Sequence, residues 1–188
     1  MPMRFLPQAY SVHGQQEEYR ESEIGHGDDA IYATVQRMAS IIRESSKSPL
    51  IREWARTILE RVQVNKKYDE AQAIHNFVRD NVRYTRDPHG WEYIQTPPVL
   101  LGGIEQYLRR RAARPIGDCD DMTVLSLSLM KSVGFPVVIK TVGYGPRFSH
   151  VYGMVYVDGK WAVTDTVRPD KWLGWESSGI ARVMEVQV

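Results

Sequence analysis

The stretch Gly117-Asp118-Cys119-Asp120-Asp121, running without a break into the apolar segment Met122 to Val133, constrains this chain more than any other. Met122, Leu125, Leu129, Met130 and Val133 recur at helical spacing, and Val124 and Leu127 make the other side apolar as well. A helix that is apolar nearly all round has to be enclosed, so the pattern predicts a central core helix with other elements packed about it. Asp118, Asp120 and Asp121 are the residue types that cap and fill a first helical turn. Gly117 permits a sharp bend ahead of that turn, and Gly134 with Phe135-Pro136 marks the exit. The only cysteine in 188 residues therefore sits where a turn feeds a buried helix. Unpaired amides at a helix start favour a thiolate, whereas three aspartates oppose it. A nucleophile at Cys119 thus needs a basic partner from elsewhere; without one, the residue is a small buried hydrophobe.

Residues 1–27 are polar, contain Gly14, Gly25 and Gly27 and show no period, which predicts an extended N-terminal arm. The expected domain is single and covers 28–188, with a helical part over 28–82 and the cysteine helix plus a sheet over 117–188. Hydrophobic residues at 43% and charged ones at 25% are ordinary for a globular protein. A net charge of +1 gives no bulk attraction to nucleic acid or to a membrane, so neither is an expected partner. One cysteine cannot form an internal disulfide and suits a reducing compartment. The start has no apolar stretch of signal-peptide length and no run is long enough to cross a bilayer, so the expected location is cytoplasmic.

Three amphipathic helices are predicted ahead of the cysteine. The first carries Ile31, Val35, Met38 and Ile42 and ends near Glu44. In the second, Ser48 is the expected cap and Pro49 the first position. The third begins near Asp69 and carries Ala71, Ile74, Phe77, Val78 and Val82. These read as scaffold, and His75, at the edge of the third stripe, reads as packed or solvated. From Arg86 to Ile116 the punctuation Asp87-Pro88-His89-Gly90, Pro97-Pro98 and Gly102-Gly103 leaves room for one short helix, about 104–111, in a long loop that would wall a cleft. Arg109, Arg110, Arg111 and Arg114 read as a solvated face answering the aspartates at 118, 120 and 121.

Beyond the core helix the period becomes two. Residues 137–142 read as a strand, and 149–157 and 160–167 as a hairpin about Asp158-Gly159. A two-residue turn there opposes Val157 to Lys160, Tyr152 to Asp165 and His150 to Val167. His150 and Asp165 then share a face as diagonal neighbours, roughly 7–8 Å apart and within side-chain reach, provided no bulge intervenes. That face also carries Tyr152, Met154, Tyr156, Trp161 and Val163, so it is expected to be the inward one. Cys119, His150 and Asp165 together supply a thiol triad: nucleophile, base and the carboxylate that orients the base. A metal site could be assembled on paper from Asp118, Asp120, Asp121, His150 and Asp165. The aspartates lack calcium-loop spacing and the cysteine has no zinc-ligand companion, so no metal is expected.

Ile74-His-Asn-Phe-Val-Arg-Asp-Asn-Val-Arg-Tyr84, Gly117-Asp-Cys-Asp-Asp121, Gly134-Phe-Pro136, Ser149-His-Val151 and Gly159-Lys-Trp-Ala-Val-Thr-Asp165 resemble the transglutaminase-like superfamily of cysteine enzymes. The resemblance covers about residues 70–167. It implies an α+β, papain-like fold in which N-terminal helices precede a nucleophile at the start of a central helix packed on an antiparallel sheet. It also implies Cys119 as nucleophile, His150 as base, Asp165 as orienting residue, a thioester intermediate and no cofactor. Trp91 and Gln95, upstream in the loop, are the candidates for a second oxyanion donor beside the amide of Cys119. Bacterial and tailed-phage members look like peptidases or amidases. Animal transglutaminases carry Gln-Cys-Trp where this chain has Asp118-Cys119-Asp120, and have further β domains. The leading expectation is a bacterial or phage-encoded thiol hydrolase acting on an amide or isopeptide bond of a protein or peptide. Acyl transfer to an amine, and a non-catalytic binding or assembly module keeping the fold, are the alternatives.

Overall fold

A computed structural model describes residues 17–20, 27–60, 62, 66–87 and 91–188. Most of the expected N-terminal arm lies outside the described residues, as do Pro88 to Gly90. Of the arm, Glu17–Arg20 forms strand β1. Helices α1 (Asp28–Ser45), α2 (Pro49–Leu59) and α3 (Lys67–Asn81) follow. Each forms because an apolar stripe meets a start signal. Asp28 and Asp29 fill the first turn of α1, Pro49 takes the first turn of α2, and Asp69 and Glu70 that of α3. Ser48 sits extended before α2, but its side chain makes no capping bond.

The region expected to be mostly loop is more ordered. Strand β2 (Arg83–Tyr84) is followed by β3 (Trp91–Ile94), which pairs antiparallel with β1. Helix α4 spans Pro97–Leu108, longer than expected and starting earlier. Pro97 and Pro98 open it rather than break it, because a first-turn residue needs no amide hydrogen. Gly102-Gly103 lies inside it. A Cβ on Gly103 would stand 2.9 Å from Cβ of Pro115, so that glycine permits a close approach. The arginine run that follows is exposed at 109, 110 and 111, as expected. Its contacts are other than foreseen: Arg109 pairs with Glu105 at 2.7 Å, and Arg114 donates to the carbonyl of Asp80.

Strand β4 (Ile116–Gly117) pairs parallel with β2 and delivers the chain to α5 (Cys119–Ser132). Every residue of α5 from Asp120 to Met130 is buried. It packs against α1, α2, α3 and α4 on one side and the sheet on the other. The sheet holds β5 (Val137–Gly143), β6 (His150–Val157), β7 (Lys160–Thr164) and β8 (Arg182–Gln187) in the order β7-β6-β5-β8, all antiparallel. This is the mixed helix and sheet fold that the sequence predicts. Asp158 and Gly159 both take positive φ, 50° and 83°, making the two-residue turn whose register opposes Val157 to Lys160 and Gly153 to Thr164.

One expectation about the sheet is reversed. The face packed on α5 carries Val151, Gly153, Val155, Val157 and Ala162, not the His150 set. Tyr152, Met154 and Val163 join Val138 and Val142 in a smaller cluster on the opposite face, under Ile180, while Tyr156 and Trp161 are each 42% exposed. Aromatic content alone misleads here. The segment between β7 and β8 folds back over that second face and gives its large side chains something to pack on.

Candidate active site

Gly117 earns its place by proximity. A Cβ there would lie 3.1 Å from Cβ of Asp121 and 3.3 Å from Val82, so any larger residue would crowd the strand against the helix start. Asp118 caps α5 by accepting from the amides of Asp120 (3.0 Å) and Asp121 (3.1 Å), and Asp121 accepts in return from the amide of Asp118. This reciprocal box fixes Cys119 as the first helical residue. Asp121 also accepts from the backbone and side-chain amides of Gln95, at 2.6 and 2.7 Å. Burial pushes Asp121 up to about 6 although these donors pull the other way.

Cys119 is half-buried, and its Sγ donates to Oδ1 of Asp120 at 3.5 Å. Burial first, then the carboxylates of Asp120 and Asp118, push this thiol well above its ordinary range; the backbone of Val151 pulls weakly the other way. The resting sulfur therefore keeps its proton, and it needs a base at the moment of attack.

His150 opens β6, and Asp165 follows β7 by one residue. The hairpin register brings them together: Nε2 of His150 and Oδ2 of Asp165 are 2.9 Å apart. Asp165 is 5% exposed, and its other oxygen accepts from the amide of Val167 at 3.3 Å. With Nε2 committed to the carboxylate, Nδ1 is the nitrogen available to take a proton. Cys119 and His150 line one cavity of about 210 Å³. Its remaining wall is largely apolar: Ile31, Val35 and Met38 from α1, with Phe148 and Val151 from the far side. Helix α1, read as scaffold, thus supplies part of the site. The period of its stripe could not reveal which partner the stripe would meet.

The two oxyanion candidates fare differently. Both donors of the Gln95 side-chain amide are engaged, one by Asp121 and one by the carbonyl of Ile116 (3.0 Å), so that amide has none left for a substrate. Trp91 lies in β3, and its side chain is outside the described residues. His75 is fully buried, with Nδ1 3.0 Å from Oγ1 of Thr164 and Nε2 3.4 Å from the carbonyl of Lys171. It ties α3 to the end of β7, next to Asp165, and burial pulls it down to about 4, so it is neutral. Among the described residues, Asp118, Cys119 and Asp120 offer ligand atoms within 4.8 Å of one another. The carboxylate of Asp118 already serves as the helix cap through Oδ1. No helix among the described residues is long and apolar enough to cross a membrane.

The family model of the transglutaminase-like superfamily matches residues 52–166. Among curated proteins no relative matches. Among solved structures, a candidate cysteine protease from Cytophaga hutchinsonii is similar at 14% identity, covering 91% of this chain and 58% of that one, with a TM-score of 0.46. The chain therefore spans 58% of the length of the protein it matches.

Proposed function

The chain belongs to the transglutaminase-like superfamily, and from that premise we propose that it is a thiol hydrolase that cleaves an amide or isopeptide bond in a peptide or protein. The observation that carries the proposal is the shared cavity: a helix-start thiol and an imidazole already bonded to a buried carboxylate border the same space. His150 takes the proton of Cys119 through Nδ1 as Sγ adds to the amide carbonyl. Asp165 holds the ring and stabilises the imidazolium that forms. The amide of Cys119, unpaired at the helix start, donates to the oxyanion. Collapse breaks the C–N bond, and the imidazolium returns its proton to the leaving amine. Water, deprotonated by the same imidazole, then cleaves the thioester and restores the thiol with release of a carboxylic acid. The apolar wall from α1 suits a substrate whose acyl part carries an aliphatic group.

The test uses blocked glutaminyl and lysyl-isopeptide peptides, with and without a primary amine. Mass spectrometry is expected to find hydrolysed product that is absent with Cys119→Ala and with His150→Ala. Amine-incorporated product exceeding hydrolysed product would replace hydrolysis by acyl transfer. Turnover persisting in Cys119→Ala would remove the nucleophile.

A further inference from the structure

His150 borders a second cavity, of about 410 Å³, on the side away from α1. Its chemistry differs from the first. Arg86, just past β2, and Arg168, in the segment after β7, both line it at exposed positions, with Tyr84, Tyr144 and Trp175 at its rim. Asp165 also borders it, but both oxygens of that carboxylate are engaged, by the ring of His150 and by the amide of Val167. The guanidinium of Arg168 lies 5.4 Å from the centre of the Trp175 ring, which partly orients it, while Lys171, whose Nζ lies 4.9 Å from the same ring, is paired with Asp170 at 2.7 Å and adds no net charge to this wall. Two guanidiniums against one internally satisfied carboxylate leave the cavity positive. Arginine pairs are suited to a planar carboxylate. The overall charge of +1 argues against a wide basic surface for a polyanion.

We propose that this cavity is a subsite for a carboxylate carried by the substrate close to the scissile amide. The proposal rests on the hydrolase reading, because it places the carboxylate beside the imidazole that serves the sulfur. It narrows the substrate to an acidic peptide or amide, one end aliphatic toward α1 and the other anionic toward Arg86 and Arg168.

The probes are iodoacetate and iodoacetamide, which lose the same iodide to the same sulfur and differ in charge. The quantity measured is the ratio of their rates at Cys119, taken within each protein, so that general changes in thiol reactivity cancel. Arg86→Gln with Arg168→Gln is expected to lower the ratio about threefold to tenfold, and added salt to lower it in the native protein. An unchanged ratio in the double variant overturns the subsite. His150→Ala separates this from the hydrolase reading: if it leaves the iodoacetamide rate unaltered, the base assignment fails while the ratio still reports on the anion. If it slows that rate and the arginine variants leave the ratio fixed, the subsite alone fails.

Discussion

The proton on Cys119 is held by its surroundings. Its helix start favours the thiolate, but burial and the carboxylates at 120 and 118 outweigh that. Replacing Asp120 by Asn keeps the shape and removes one of those charges. Asp120→Asn is therefore expected to speed alkylation of Cys119 by iodoacetamide near neutral pH about threefold to tenfold, and a slower rate would mean that the carboxylate helps to remove the proton. His75 gives a test by pH. Its folded value of about 4 lies below the ordinary 6.5, so on acidification the unfolded chain takes the proton first. The stability it contributes is present above 6.5 and is lost as pH falls toward 4. Asp121, raised to about 6, runs the other way: its contribution is full below 3.8 and is lost as pH rises through 6. Comparing the native protein with His75→Gln at each pH cancels the aspartate. The advantage of the native protein is expected to shrink by about 2 kcal/mol between pH 6.5 and roughly pH 5 in urea unfolding, and a constant difference would place the charged ring within the fold. At this scale the sequence was informative wherever partners were close along the chain or joined by a tight turn. The Asp118 box spans three residues, and the His150–Asp165 contact follows from one hairpin.

Among the elements, α5 and β6 decide the geometry, and Gly153 is where they touch. A Cβ at that position would lie 2.4 Å from Cδ2 of Leu127 and 2.8 Å from Cγ2 of Thr164. Gly153→Ala must displace the Leu127 side chain of the helix that carries Cys119 or shift the strand that carries His150. A loss of about 1–3 kcal/mol in urea unfolding is expected, with slower alkylation of Cys119; an unchanged midpoint would show that the two layers are not in firm contact. Periodicity identified α1, α2, α3, α5 and the hairpin, because each repeats over enough residues to stand out. It does not reveal the full length of α4, because Pro97-Pro98 and Gly102-Gly103 read as breakers in sequence although the prolines fall in the first turn, where no amide hydrogen is needed. Strand β8 was there to be read: Met184, Val186 and Val188 alternate with Val183, Glu185 and Gln187, and the alternate residues pack on the core.

Across the described residues, one core cluster takes in side chains from each of the five described helices and the inner face of the sheet, with Trp54 wholly enclosed in it. A core shared in this way is expected to unfold as a unit. Tryptophan fluorescence and far-ultraviolet circular dichroism should give coincident urea transitions, and transitions that separate would divide the helical part from the sheet. The sequence by itself determined the capped helix with its thiol, the hairpin register and the meeting of His150 with Asp165, because each depends on backbone geometry over a short or tightly turned stretch. Only the tertiary structure decided which face of the sheet turned inward, that α1 would wall the cavity at Cys119, and that Arg86 and Arg168 would share a second one. Those outcomes depend on which apolar surfaces find one another when distant segments collapse, and a hydrophobic stripe specifies that it will be covered without specifying by what.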